Sequence, residues 1–153
     1  MGYTYQGFIG SADVLNAAAE RLRHARVLEL TGGWFTVPLG EKLEDEINAG
    51  EGGLIELWDI LTDRIEALGI ELSQKGRIAY VEADYFGGWG DQSCIVWESG
   101  SELLREVRTA KAINHALKRL GVAAAEGEVD EFDTVGLGRH RRVESWLAEE
   151  RGW

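Results

Sequence analysis

Two acidic side chains in the segment "RIAYVEADYF" have a spacing that a catalytic pair could use. Glu82 and Asp84 are two residues apart in a run that alternates as a β-strand does, so both project from one face of the strand. Two strand rises place their Cα atoms about 6.6 Å apart. Paired carboxyl groups on this scale could act as acid and base in glycoside hydrolysis. A solvated pair on a polar strand face is the more ordinary interpretation, so a small hydrolase is kept as the alternative function.

A second group of chemically active residues lies near the C-terminus, in "GLGRHRR", after the acidic segment "DEFD". Arg139, His140 and Arg141 could form a small anion pocket, or they could clamp the tail to the body of the protein by charge. His140 could act as a general base, but no nucleophile can be assigned to it. We favour the charge clamp, with a small energy because surface ion pairs contribute little.

The segment "YFGGWGDQS" combines aromatic rings with glycines and an acid-amide pair. If strands end near Asp84 and begin near Gln92, about seven residues connect them, which is longer than a minimal hairpin. Glycines at three positions allow backbone shapes that other residues avoid. Exposed aromatics with neighbouring polar groups resemble interaction hot spots. The predicted partner-binding residues are Tyr85, Phe86, Trp89, Asp91 and Gln92, and the alternative is that the rings fold back onto the core.

The N-terminal half must position these residues with helices and a short hairpin. "SADVLNAAAERLRHAR" predicts a helix with Ser11 as its N-cap. Val27–Thr31 and Trp34–Val37 are β-rich runs separated by two glycines, which indicates a hairpin. Residues 41–48 are either a short helix or a surface loop.

"LIELWDILTDRIEALG" has apolar residues at steps of three and four, which predicts a helix from Leu54 to Leu68 that Gly69 ends.

The C-terminal half supplies the other strands and helices. "SCIVWE" is apolar on both faces, as in a central strand. A turn at Ser99 and Gly100 leads into a strand "ELLREV", although Ser101 could instead cap a helix there. A helix is expected from about Thr109 to Leu120, with Gly121 as its stop, and "VESWLAEERGW" predicts a short amphipathic helix. We expect one α+β domain over residues 1–153, with an antiparallel sheet of about four to five strands flanked by helices.

The net charge of −11, from 27 acidic and 16 basic residues, restricts the classes of partner. Nucleic-acid binding depends on cations that neutralise phosphates, so direct binding of nucleic acid is disfavoured. The same charge attracts a basic protein and accelerates its arrival. One cysteine, Cys94, and three dispersed histidines form no spaced metal motif, and no sequence pattern indicates a cofactor.

No apolar run approaches the roughly 20 residues of a membrane span, and the N-terminal segment has no signal-peptide pattern. A cytoplasmic location is therefore expected.

Three segments together resemble a group of small bacterial proteins: "IAYVEADYFGGWGDQSCIVW", "AINHALKRLGV" and "DEFDTVGLGRHR". That group shares a Tyr-Phe-Gly-Gly-x-Gly-x-Gln segment and a Gly-Leu-Gly-Arg-His-Arg tail. In size and style it is similar to the immunity proteins of bacterial toxin systems, which bind and block a cognate toxin. The resemblance covers roughly the C-terminal half and implies a stand-alone binding protein, with no assigned active site.

The leading hypothesis is an acidic binding protein of immunity type that docks and neutralises a basic partner, such as a nuclease-like toxin, through residues 85–92. A homodimer formed through the sheet edge or through the aromatic residues is a further alternative.

Overall fold

An antiparallel sheet of six strands runs through the centre of the protein, as seen in a computed structural model that describes residues 2–149. The strands lie in the order β2-β3-β1-β4-β5-β6. Their bounds are β1 Gly2–Gly10, β2 Leu28–Glu29, β3 Phe35–Pro38, β4 Ile78–Phe86, β5 Trp89–Glu98 and β6 Ser101–Thr109. The fold is α+β, as predicted, with slightly more strands than the sequence suggested.

Helices cover both faces of this sheet, so that it has two hydrophobic cores. The helix bounds are α1 Ala12–Arg21, α2 Glu41–Asn48, α3 Asp63–Leu72, α4 Ala112–Leu120, α5 Glu131–Val135 and α6 Val143–Leu147. Helices α1, α2 and α3 pack on one face, with Phe8, Tyr80 and Trp97 of the sheet. Helices α4, α5 and α6 pack on the other, with Tyr5 and Val81. Among the described residues, no helix is long and apolar enough to cross a membrane.

The strand β1 was not predicted, yet it lies at the centre of the sheet between β3 and β4. Its sequence contains Gly2, Gly7 and Gly10, and glycine is normally depleted in strands. Gly7 is required by close packing: a Cβ there would lie 2.6 Å from the Tyr5 hydroxyl and 2.8 Å from the Val37 carbonyl oxygen. The glycine is therefore a consequence of strand packing and does not indicate a loop.

Most of the other predicted elements are present. Helix α1 begins after Ser11, although the Ser11 side chain makes no capping hydrogen bond. The short hairpin forms between β2 and β3, and residues 41–48 are helical. The segment after Ser99 is the strand β6, as favoured, and Gly121 ends α4 in the left-handed conformation. Helix α6 covers the first part of its predicted segment, and residues 150–153 lie outside the described residues.

The predicted helix from Leu54 to Leu68 is wrong at both ends. Helix α3 begins only at Asp63, where the Thr62 hydroxyl caps it by accepting a hydrogen bond from the Ile65 N–H at 3.1 Å. It then continues through Gly69 to Leu72. Gly69 lies inside the helix and packs under Trp97, whose ring would lie 2.3 Å from a Cβ at this position, so the glycine reflects close packing and not a helix end.

Candidate functional site

The segment "YFGGWGDQS" is a tight hairpin, and the predicted connection of about seven residues is wrong. The strands β4 and β5 pair as far as Phe86 and Trp89, so only Gly87 and Gly88 remain in the turn. Their φ angles are 59° and 83°. Positive φ at both central residues defines the turn that best matches the twist of paired strands. The glycines therefore extend the hairpin into solvent.

Phe86 and Trp89 lie directly opposite each other at the end of this hairpin, and we call them the aromatic tip. They are 80% and 84% exposed. Side chains alternate along a strand, and so both rings share the sheet face that carries Asp84 and Asp91, which also pair across the strands. The aromatic tip thus stands beside two carboxylates.

An acidic groove, formed by Asp59, Asp84 and Asp91 with Arg108, lies at the base of the aromatic tip and encloses about 290 Å³. The Arg108 guanidinium lies 3.6 Å from a carboxylate oxygen of Asp59 and 3.6 Å from one of Asp91. Three carboxylates against one guanidinium leave the groove negative. Burial raises the pKa of Asp59; Arg108 opposes this, while Asp84 and Asp91 raise the pKa further.

Glu82 holds Asp59 in this groove. The Glu82 residue is 2% exposed, and its carboxylate accepts hydrogen bonds from the N–H groups of Asp59, Ile60 and Leu61, at 2.8, 3.0 and 2.9 Å. The Tyr80 hydroxyl donates a fourth bond at 2.7 Å. The buried carboxylate therefore anchors the loop that precedes α3 against the sheet.

These contacts give no support to the hydrolase alternative. Both oxygens of Glu82 are occupied by donors from the protein itself, so its carboxylate is not presented to a substrate. Asp84 is exposed and accepts a hydrogen bond from the Thr4 hydroxyl at 3.2 Å. Glu82 is buried and Asp84 is exposed, and the two carboxyl groups do not face a common cleft.

The predicted partner-binding residues divide between the two faces of the sheet. Phe86, Trp89 and Asp91 lie on the side of the acidic groove. Tyr85 and Gln92 point to the opposite face, where they line a separate cavity of about 480 Å³. Arg141, predicted as part of an anion site, lines the same cavity. Neighbouring residues of a strand point in opposite directions, which is why one sequence segment contributes to two sites.

Arg139 and His140 contact an acid within the tail, and not the preceding "DEFD" segment. Arg139 Nε donates to a Glu149 carboxylate oxygen at 2.9 Å, and His140 Nε2 pairs with the same carboxylate. The Arg139 guanidinium also lies 4.6 Å from the Trp146 ring centroid and donates to the Glu29 carbonyl at 3.0 Å. Arg141 is separate from this group, so the predicted three-residue cluster is divided.

Asp59 and Arg108 were not identified from the sequence. Asp59 lies in the segment that was assigned to a helix, and Arg108 lies at the end of β6, far along the chain. Pairing of β5 with β6 places Arg108 next to Asp91. The hydrogen bond from the Asp59 N–H to the Glu82 carboxylate places Asp59 in the same groove. No local pattern marks either residue, because both positions depend on contacts between distant segments.

Within residues 2–149, no three histidine, cysteine, aspartate or glutamate side chains are arranged to hold a metal ion. Cys94 is buried, and burial raises the pKa of its thiol to about 12.

Comparison with protein families, with curated proteins and with solved structures finds no match to this chain.

Proposed function

We propose that this chain is a small binding protein that docks a basic protein partner at the end of the β4–β5 hairpin and neutralises it. The observation that carries the proposal is the position of the aromatic tip beside the acidic groove. Phe86 and Trp89 offer two large exposed rings, and such rings commonly contribute most of the binding energy of an interface. The groove next to them is negative, and its volume of about 290 Å³ can accommodate side chains of a partner.

The charges favour a basic partner over other occupants. A lysine or arginine of the partner that entered the groove would contact the carboxylates of Asp59, Asp84 and Asp91 and relieve their mutual repulsion. The net charge of −11 would also steer a cationic protein toward this chain. A second copy of this chain carries the same charge, so repulsion disfavours a homodimer through this surface.

The neutralising role rests on the resemblance to immunity proteins of bacterial toxin systems. Such a protein binds and blocks a cognate toxin, and nuclease-like toxins are basic because they bind a polyanion. An acidic docking surface is the complement that this class of partner requires.

The experiment compares capture of proteins from the native cell lysate by the wild-type chain and by a Phe86→Ser, Trp89→Ser variant. Val129→Ser is the matched control, because Val129 is an apolar side chain that is 86% exposed and lies outside the hairpin. We expect the wild type and the control to retain a basic protein that the hairpin variant loses. With the purified partner, Asp59→Asn and Asp91→Asn should weaken binding, and added salt should slow association.

Co-expression of the captured protein then tests neutralisation. The wild type should restore growth that the partner inhibits, and the hairpin variant should not. Capture of no protein, or equal capture by the hairpin variant, would exclude the proposed docking surface. If sedimentation showed that the wild type is a dimer and that the hairpin variant is a monomer, self-association through the aromatic tip would be favoured instead.

A further inference from the structure

We propose that the 480 Å³ cavity on the opposite face of the sheet binds a small ligand with an aromatic ring and one anionic group. We call it the α4 cavity, because Lys111, Ile113 and Asn114 at the start of α4 form one wall. Its volume lies within the range of roughly 300–1,000 Å³ that is typical of small-molecule sites. It is separate from the acidic groove, and the inference is independent of the docking function.

Aromatic side chains supply the apolar lining of the α4 cavity. Tyr3, Tyr85 and Phe132 all contribute to it and all are partly buried. Tyr3 and Phe132 pack edge to face, with ring centroids 5.6 Å apart. Burial raises the pKa of Tyr3, so its hydroxyl stays uncharged and would not repel an anion. Such walls favour a planar ring as the ligand.

The charge at the α4 cavity is opposite in sign to that of the whole chain. Lys111 and Arg141 are exposed side chains on its lining. Neither of them makes an ion pair with a carboxylate of residues 2–149. Two cations that have no acidic partner there are suited to a carboxylate or phosphate of a ligand.

The acidic side chain on the described lining, Asp130, has its oxygens occupied by the protein. One oxygen accepts a hydrogen bond from the Asp133 N–H at 2.9 Å and caps α5. The other accepts from the Asn114 side-chain amide at 3.1 Å. Lys111 and Arg141 outnumber this one carboxylate on the described lining, so the cavity favours an anionic group.

Hydrogen bonds hold the walls of the α4 cavity in place without a ligand. The Gln92 side-chain oxygen accepts from the Ile113 N–H at 2.9 Å, which joins β5 to α4. The Asn114 side-chain oxygen accepts from the Phe132 N–H at 2.9 Å, and the Tyr3 hydroxyl donates to the Leu137 carbonyl at 2.9 Å. A site that is already formed loses little conformational entropy when a ligand binds.

Phenyl phosphate is the probe that tests this inference, because it joins one ring to one anionic group. The measurement is a titration of the full chain followed by amide ¹H–¹⁵N NMR, with inorganic phosphate and phenol as the two fragments. We expect saturable shifts at Tyr85, Gln92 and Lys111–Asn114, and tighter binding of phenyl phosphate than of either fragment. Equal binding of inorganic phosphate would show that the rings do not contribute and would overturn the proposal.

Substitutions then test the cations. Lys111→Met and Arg141→Met should each weaken phenyl phosphate binding by roughly tenfold, because each removes one charge-assisted hydrogen bond. Lys118→Met is the matched control, since Lys118 is an exposed cation of α4 that does not line the cavity. The same NMR spectra report whether each variant is folded.

The Phe86→Ser, Trp89→Ser variant separates this inference from the proposed docking function. Phenyl phosphate should bind that variant as it binds the wild type, with shifts at the same residues. The proposal would be overturned if phenyl phosphate showed no saturable binding to the wild type. It would also be overturned if Lys118→Met weakened binding as much as Lys111→Met and Arg141→Met do, or if the shifts were confined to the hairpin.

Discussion

Glu82 accepts a hydrogen bond from the backbone N–H of Asp59 at 2.8 Å, so a carboxylate buried in the sheet positions another at its surface. The same carboxylate takes the N–H groups of the next two residues. These donors would bond to carbonyl groups if the segment were helical. The buried acid therefore holds the segment before α3 in a loop, and this loop completes the acidic groove.

Replacement of Glu82 by Gln should lower the free energy of unfolding by about 2–3 kcal/mol, because the amide NH₂ would face N–H donors in a buried site. Chemical denaturation with urea measures the change. Asp84→Asn is the control: Asp84 is exposed, and its replacement should change stability by no more than about 0.5 kcal/mol. Equal effects of the two substitutions would show that Glu82 does not anchor the loop.

Substitution of the two turn glycines should cost stability according to how readily the new residue adopts a positive φ. A Cβ at Gly87 or Gly88 meets nothing within 4 Å, so any cost comes from the positive φ alone. Gly88→Val should lower the free energy of unfolding by about 1–2 kcal/mol. Gly87→Asn should change it by less than about 0.5 kcal/mol, because asparagine adopts this conformation readily. Urea unfolding of both variants checks the prediction, and a neutral Gly88→Val would contradict the turn geometry.

Gly69→Ala should destabilise the protein even though alanine is the better helix former. The helix would gain about 1 kcal/mol, but the new methyl group would collide with the Trp97 ring at 2.3 Å, and overpacking typically costs about 1–3 kcal/mol. A thermodynamic cycle with Trp97→Phe measures the collision, since the smaller ring should reduce the cost of the alanine. Additive effects of the two substitutions would argue against the contact.

The tail should lose stability in acid through Glu149. Partial burial raises the pKa of its carboxyl, but the hydrogen bond with His140 and the charge of Arg139 lower it more, so the pKa lies below the ordinary value of 4.5. A carboxyl whose pKa is lower in the folded protein than in the unfolded chain stabilises the fold at pH values above its unfolded-state pKa. That stabilisation is lost as the pH falls through its folded-state pKa. Glu149→Gln should therefore unfold more easily than the wild type at pH 7.

The difference in unfolding free energy between Glu149→Gln and the wild type should shrink below about pH 4.5, where the wild-type carboxyl becomes protonated. Urea unfolding at a series of pH values measures it. Glu144→Gln, an exposed acid of α6, serves as the control. A difference that stays constant with pH would contradict the contact.

Elements whose pattern reflects local packing were predictable. The helix α4 has apolar residues on one face and a glycine stop, and the structure has both. The segment from Leu54 to Leu61 has a similar spacing but is not a helix: Leu54 and Leu57 are exposed there, and Glu82 takes up the N–H groups of residues 59–61. The decisive residue is more than 20 positions away in the chain. A local pattern cannot report such a contact.

The sequence by itself determined the α+β class, the alternation of β4, the backbone freedom of the glycines after it, and the negative charge. These follow from local periodicity, backbone freedom and composition. Only the tertiary structure decided that β1 is central, that Asp59 and Arg108 join Asp91, and that Tyr85 and Gln92 meet Arg141 on the opposite face. Those relationships arise from strand pairing and buried hydrogen bonds between distant segments, which depend on the folded chain as a whole.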